Sequence, residues 1–156
     1  MPLVFVYGTL MRAGANHGVL LRLGCTFLGE ATTLEPCTLV DLGPYPALLP
    51  LRDGAPPPTT RIEGEVWEID DRALRELDAF EGYPELYTRE RIALRVAEPE
   101  AREVDAFGYV LARRPPARAR VIATGRYAAA GMALPEGAAP DQFEANEAPQ
   151  ERRKRR

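Results

Sequence analysis

The stretch Leu3-Val4-Phe5-Val6-Tyr7-Gly8-Thr9-Leu10 decides how this chain is read. Residues 3–7 are apolar with no polar alternate, which predicts a central strand covered on both faces. The strand runs straight into a Gly-Thr turn. Gly8 has no Cβ, so the backbone can turn sharply there and a ligand can approach it closely. Consecutive N–H groups at such a turn form a concave site for an anion, and Thr9 adds a hydroxyl. An ordinary strand-ending turn uses the same residues, so both readings stand at this point.

Outward from that strand, Asn16 is placed to cap a short helix running to Leu23, with Val19, Leu20 and Leu23 on one face and Gly24 as the stop. Strands are expected over 26–34 and 37–42, split by Glu35-Pro36. Gly43-Pro44-Tyr45-Pro46 reads as a turn. A short extended piece follows from Ala47 to Leu51, then a surface loop over 53–60 with three consecutive prolines. Residues 62–69 alternate as a strand of mixed exposure, with Ile62, Gly64 and Val66 opposite Glu63, Glu65 and Trp67.

Asp70 and Asp71 are N-caps for a helix over 72–80, whose buried face is read as Leu74, Leu77 and Phe80 and whose end is Gly82. Residues 87–97 and 103–112 form a hairpin. Residues 119–124 give a last short strand or helix start. Strands outnumber helices, so the fold class is α+β: a small mixed β-barrel of about six to seven strands with short flanking helices.

Composition bounds the function. A chain of 156 residues, 46% hydrophobic and 28% charged, is one soluble globular domain with a real core. The domain is expected over 1–128. Residues 129–156 read as a low-complexity, basic-ended tail with too little apolar content to fold alone. The net charge of −3 points to neither nucleic acid nor membrane. No run is long enough to span a bilayer and the start is no signal peptide, so the expected location is cytoplasmic. Cys25 and Cys37 match neither a zinc spacing nor a disulfide framework. His17 is the one histidine, and the single lysine, Lys154, lies in the tail. A His-rich metal site and Schiff-base chemistry in the domain are thereby excluded.

Few residues remain to carry chemistry. Glu81 closes the second helix, where the helix dipole disfavours a negative charge. If buried, its carboxyl has a raised pKa and exchanges protons near neutrality; if solvated, it is an ordinary surface glutamate. Tyr87 and Arg89 are two apart on one strand and share a face. They either place a phenol and a guanidinium in one pocket or make a plain cross-strand pair. Tyr109 lies in an apolar strand, where core packing competes with a substrate contact. His17 is either a substrate contact or part of a helix-capping neighbourhood.

The ordered segments Val6-Tyr7-Gly8-Thr9-Leu10, Asn16-His17, Pro44-Tyr45-Pro46-Ala47-Leu48, Glu63-Gly64-Glu65-Val66-Trp67 and Leu77 to Arg89, containing Phe80-Glu81-Gly82-Tyr83-Pro84, resemble the gamma-glutamylcyclotransferase-like family. The likeness spans roughly residues 3–127 and is greatest to the gamma-glutamylamine branch. It implies a small barrel and cyclisation of a gamma-glutamyl amide or amine to 5-oxoproline with release of the free amine. It implies that Tyr7, Gly8, Thr9 and Leu10 hold the glutamyl group and that Glu81 is the general acid/base. Tyr87, Arg89 and Tyr109 are further candidates for substrate binding. No cofactor or metal and no partner beyond the small-molecule gamma-glutamyl substrate are expected, and the oligomeric state is open. Two other readings compete: a non-catalytic small-acid binding module on the same scaffold, and an interaction protein acting through the Arg-rich tail.

Overall fold

The computed structural model describes residues 1–50, 57–58 and 60–127. The expected tail over 129–156, Leu51 and most of the loop over 53–60 lie outside the described residues. The elements in chain order are β1 (Leu3–Val6), α1 (Gly18–Arg22), β2 (Thr26–Thr33), β3 (Thr38–Asp41), β4 (Pro46–Leu49), β5 (Glu63–Glu68), α2 (Asp71–Glu81), β6 (Tyr87–Val96), β7 (Arg102–Leu111) and β8 (Arg120–Val121).

Five strands close a barrel in the order β1-β5-β2-β6-β7, and β7 returns to β1. Four of the five seams are antiparallel. The seam that closes the barrel is parallel, with Val4 opposite Phe107 and Phe5 opposite Gly108. The remaining strands extend the sheet from β7 in the order β4-β3-β8. The described residues thus hold eight strands where about six to seven were expected, and the barrel with flanking helices stands. Among the described residues no helix is long and apolar enough to cross a membrane.

The apolar run of β1 is explained by its position between β5 and β7. Its alternate residues feed two cores. Val4 and Val6 pack with Leu20, Trp67, Leu74, Leu77 and Tyr109 on the face that carries the helices. Phe5 and Tyr7 pack with Val66, Leu94, Val96 and Val110 in a second cluster, to which no helix contributes. A side-chain period of two therefore gives a strand covered on both faces. β5 differs from its expected mixed exposure for the same reason. It lies between β1 and β2, and Gly64, Glu65, Val66 and Trp67 are all buried.

The two helices start differently. Asp70 caps α2 as expected, its carboxylate accepting from the Ala73 N–H at 2.7 Å. Asn16 does not cap α1: His17 occupies that position, and the Asn16 amide donates instead to Thr9 Oγ1 at 3.0 Å. The end of α2 is a Schellman turn. The Tyr83 N–H reaches the Asp78 carbonyl, the Gly82 N–H reaches that of Ala79, and Gly82 takes a left-handed φ of 72° that its missing Cβ makes inexpensive.

The buried face of α2 is also corrected. It consists of Ala73, Leu74 and Leu77, while Phe80 is 48% exposed. At about 100° per residue, Phe80 is turned about 120° away from Leu74, whereas Glu81 falls within about 20° of it. The last turn of the helix therefore directs a glutamate, with Asp78 beside it, along the line that Leu74 and Leu77 bury.

Candidate active site

The turn after β1 is built so that its carbonyls are occupied. The Gly8 carbonyl accepts from the Met11 N–H at 3.1 Å and the Thr9 carbonyl from the Asn16 N–H at 2.8 Å. The Leu10 carbonyl lies 3.2 Å from His17 Nδ1, a hydrogen bond that requires the proton on that nitrogen. Among the described residues the N–H groups of Gly8, Thr9 and Leu10 donate to nothing. Free N–H groups in a row, with their carbonyls tied back, suit an oxygen anion.

This turn is anchored from below by Glu65. Its carboxylate accepts from the Arg12 N–H at 3.1 Å, from Arg12 Nε at 3.3 Å and from Trp67 Nε1 at 3.1 Å. The Trp67 ring in turn packs 5.3 Å from the His17 ring. His17 thus holds the turn in shape from a helix-capping position.

Gly8 also has a packing role. A Cβ there would stand 2.7 Å from Pro46 Cγ, so Pro46 fills the space that a side chain would take. The Pro46 carbonyl accepts from the Tyr87 hydroxyl at 3.0 Å. The Tyr45 ring lies 6.3 Å from that of Tyr87. The Pro-Tyr-Pro segment is therefore the wedge between the turn and β6.

Three tyrosines converge behind it. The Tyr7 hydroxyl donates to the Tyr109 carbonyl at 2.6 Å and accepts from the Leu48 N–H at 3.0 Å. The Tyr109 hydroxyl donates to Asp78 Oδ1 at 2.6 Å. Tyr7, Tyr87 and Tyr109 are all buried, which raises the pKa of each well above that of a free phenol. The charge of Glu81 pushes all three in the same direction, which puts its carboxyl beside this group.

Glu81 itself is half-buried, and among the described residues its carboxyl makes no hydrogen bond or ion pair. Burial first, and then the nearby charge of Asp78, push its pKa up to about 8. The C-terminal end of α2 acts in the same sense. Of the two readings open at the sequence level, the protein-enclosed carboxyl is the one realised.

Arg89 does not make the cross-strand pair considered for it. Its Nε binds Asp78 Oδ1 at 2.7 Å, and its guanidinium stacks 4.7 Å from the Phe107 ring centre and 5.3 Å from that of Tyr83. Asp78 is the residue that sequence reasoning passed over. Its signal was available in the i, i+3 spacing to Glu81, which puts both carboxylates on one side of the last helical turn.

The candidate residues Tyr7, Gly8, Tyr87, Tyr109 and Arg89 are thus joined by direct contacts through Pro46 and Asp78, and Glu81 stands beside the tyrosines. Thr9 and Leu10 continue the turn, with Leu10 buried and Thr9 half-buried. A separate cleft of about 210 Å³ between Thr33, Cys37, Leu48, Ile92 and Val110 lies against the opposite face of β6 and β7 and contains none of them. Burial raises the pKa of the Cys25 and Cys37 thiols, which keeps both neutral. Among the described residues no cluster of His, Cys, Asp and Glu is arranged to hold a metal ion.

The profile of a family described as gamma-glutamyl cyclotransferase, AIG2-like, matches residues 4–129. The chain is 42% identical over 118 residues to the gamma-glutamylaminecyclotransferase of Bos taurus, a match covering 72% of this chain and 67% of that protein. It is 44% identical over 107 residues to the Homo sapiens gamma-glutamylaminecyclotransferase, covering 65% and 67%. The fold is similar to the crystal structure of an AIG2-like protein from Mus musculus, with a TM-score of 0.67 and 32% identity over 81% of this chain and 88% of that one.

Proposed function

The chain belongs to the gamma-glutamyl cyclotransferase, AIG2-like family, and from that premise we propose that it cyclises a gamma-glutamyl amide or amine to 5-oxoproline and releases the free amine. The single observation that carries this reading is the juxtaposition at the site. Among the described residues, a carboxyl with no bonded partner and a pKa pushed up to about 8 stands beside the tyrosine group that backs a turn with three free N–H groups.

The reaction asks little more of a protein. The nucleophile is the substrate's own α-amine, so no serine or cysteine is needed. Ring closure is intramolecular, and well-oriented reactions of that kind reach effective molarities of ~10⁵ M or more. The pocket must fold the glutamyl chain so that the α-nitrogen faces the γ-carbonyl carbon, and it must move protons.

Glu81 does the second task. As carboxylate it takes a proton from the α-ammonium, and the neutral amine attacks the γ-carbonyl carbon to form the new C–N bond. The oxygen of the tetrahedral intermediate becomes negative as that bond forms. Glu81 then returns its proton to the departing nitrogen, the old C–N bond breaks, the carbonyl re-forms, and the ring nitrogen gives up its second proton to the released amine, which leaves as an ammonium ion. A pKa of about 8 suits both halves, because the group is readily loaded and unloaded near neutrality. The N–H groups of Gly8, Thr9 and Leu10 bind an oxygen of the glutamyl group, with their direction fixed before substrate arrives. Tyr87, Tyr109 and Arg89 complete the wall against which the glutamyl chain folds.

The test is a 5-oxoproline release assay over a panel of gamma-glutamyl amino acids and gamma-glutamyl-ε-lysine, with Glu81→Gln as control. Release that depends on Glu81 is the expected result. Tight binding of a gamma-glutamyl compound with no release would select the non-catalytic module instead.

A further inference from the structure

Asp78 lies one helical turn from Glu81 and carries two charge-assisted hydrogen bonds, yet the cyclisation gives it no part. Its Oδ1 takes the Tyr109 hydroxyl at 2.6 Å and Arg89 Nε at 2.7 Å. Asp78 and Arg89 are 13% and 21% exposed at their side chains, so this is a sheltered pair, not a surface one. The neighbours on the same strand and helix are treated differently. Tyr87 donates to Pro46, and Glu81 bonds to nothing among the described residues.

We propose that the Asp78–Arg89–Tyr109 cluster is a positioning and charge-balancing device for Glu81. Asp78 neutralises the guanidinium that β6 brings into the site, and it ties the last turn of α2 to the strand whose Tyr109 carbonyl holds Tyr7. This rests on the reading of Glu81 as the acid/base.

A guanidinium close to a half-buried carboxyl stabilises the ionised form and turns the carboxyl into a weak base. Arg89, which Asp78 binds one helical turn from Glu81, is the cation that would do this if it were released toward Glu81. Asp78 prevents it in two ways. It holds Arg89 through Nε, with the guanidinium plane against Phe107 and Tyr83, and it adds a like charge one helical turn from Glu81. The other titratable groups facing Glu81 are Tyr7 after β1, Tyr87 on β6 and Tyr109 on β7. All three are held neutral by burial, so the charge beside Glu81 is that of Asp78, to which Arg89 is bound. The upward push that Asp78 gives Glu81 agrees with this balance.

The two partners make opposite predictions, which structural damage alone does not imitate. Asp78→Asn keeps an oxygen that accepts from Tyr109 and Arg89 but removes the charge. The ascending limb of the kcat/KM–pH profile, which follows Glu81 deprotonation, moves down by about one pH unit. Arg89→Gln leaves Asp78 uncompensated, and the same limb moves up. Both variants are checked for an unchanged circular dichroism spectrum. Shifts of opposite sign support the device; unmoved limbs, or shifts of the same sign, overturn it. If the wild-type protein releases no 5-oxoproline, the functional reading fails by itself. Carboxyl titration of Glu81 by carbon-13 NMR then decides: a lower midpoint in D78N than in wild type supports the charge balance, and equal midpoints overturn it.

Discussion

Two glutamates lie on the helix-covered side of this small barrel, and they are treated in opposite ways. Glu65, on β5, is 7% exposed and receives three N–H donors from Arg12 and Trp67. Glu81, at the end of α2, is enclosed by protein yet receives no donor among the described residues. A carboxylate whose oxygens are bonded acts as a rivet, here for the turn that follows β1. A carboxyl with no donor keeps its desolvation cost, which moves its pKa toward neutrality. Burial is common to both; what differs is whether the protein answers the charge. That difference separates a group that holds shape from the group proposed to transfer protons.

The comparison breaks most sharply at Glu81. Glu81→Gln should lower 5-oxoproline release by about 10²–10⁴-fold, the usual worth of a general acid/base, while the melting profile stays cooperative. Turnover near the wild-type level would sink the assignment. The stability of the same variant carries a sign. Glu81 has a folded pKa of about 8, above its ordinary value of 4.5. Between those values the native state binds more protons than the unfolded state, so wild-type stability falls as pH rises through the window. E81Q removes that slope. Thermal melts at pH 5 and pH 8 should differ less in the variant than in the parent, and an equal or steeper fall in the variant would contradict the raised pKa.

The matching change at Glu65 should do the reverse. Glu65→Leu leaves the Arg12 and Trp67 donors without an acceptor and should cost about 2–3 kcal/mol of stability, read by denaturant unfolding. Residual activity should keep its pH limb, because no proton passes through Glu65. A shifted limb in this variant would erase the distinction between the two glutamates.

A smaller effect is expected from Tyr7→Phe, which leaves the Leu48 N–H and the Tyr109 carbonyl without their shared hydroxyl. About 1–2 kcal/mol should be lost, together with a raised KM if the hydroxyl fixes the turn. An unchanged KM would separate the turn from the tyrosine group. The smallest change is Asp70→Ala, which removes the α2 cap for about 1 kcal/mol and leaves kcat untouched. A falling kcat there would mean that the whole helix, and not its last turn alone, positions Glu81.

The sequence reading went furthest where the signal is local. The two-sided β1, the β6–β7 hairpin, the Asp70 cap and the Gly82 stop all follow from side-chain period and cap chemistry within a few residues. Glu81 at the end of α2 was legible too. Its place on the buried line was not, because an aromatic Phe80 drew the apolar face toward itself, and helical angle outweighs side-chain type there. The closing seam between β1 and β7 was hidden for a different reason. A parallel pairing across about a hundred residues leaves no periodic trace, and neither does the β4-β3-β8 extension. The i, i+3 spacing pairs Asp78 with Glu81, but the Asp78 donors Arg89 and Tyr109 come from β6 and β7, and the Arg12 donors of Glu65 come from the turn after β1; no single segment displays these partners.

The parallel seam between β1 and β7 bears on how the protein is made. β1 needs both β5 and β7 as neighbours, and its partners on β7 are Phe107 and Gly108. At about 5–20 residues per second of synthesis, its two flanks become available seconds apart. Until then the most apolar strand of the chain is translated but unroofed. The barrel closes only when the hairpin that carries Tyr109 has emerged, so the turn after β1 acquires its backing at the same moment as the fold is sealed.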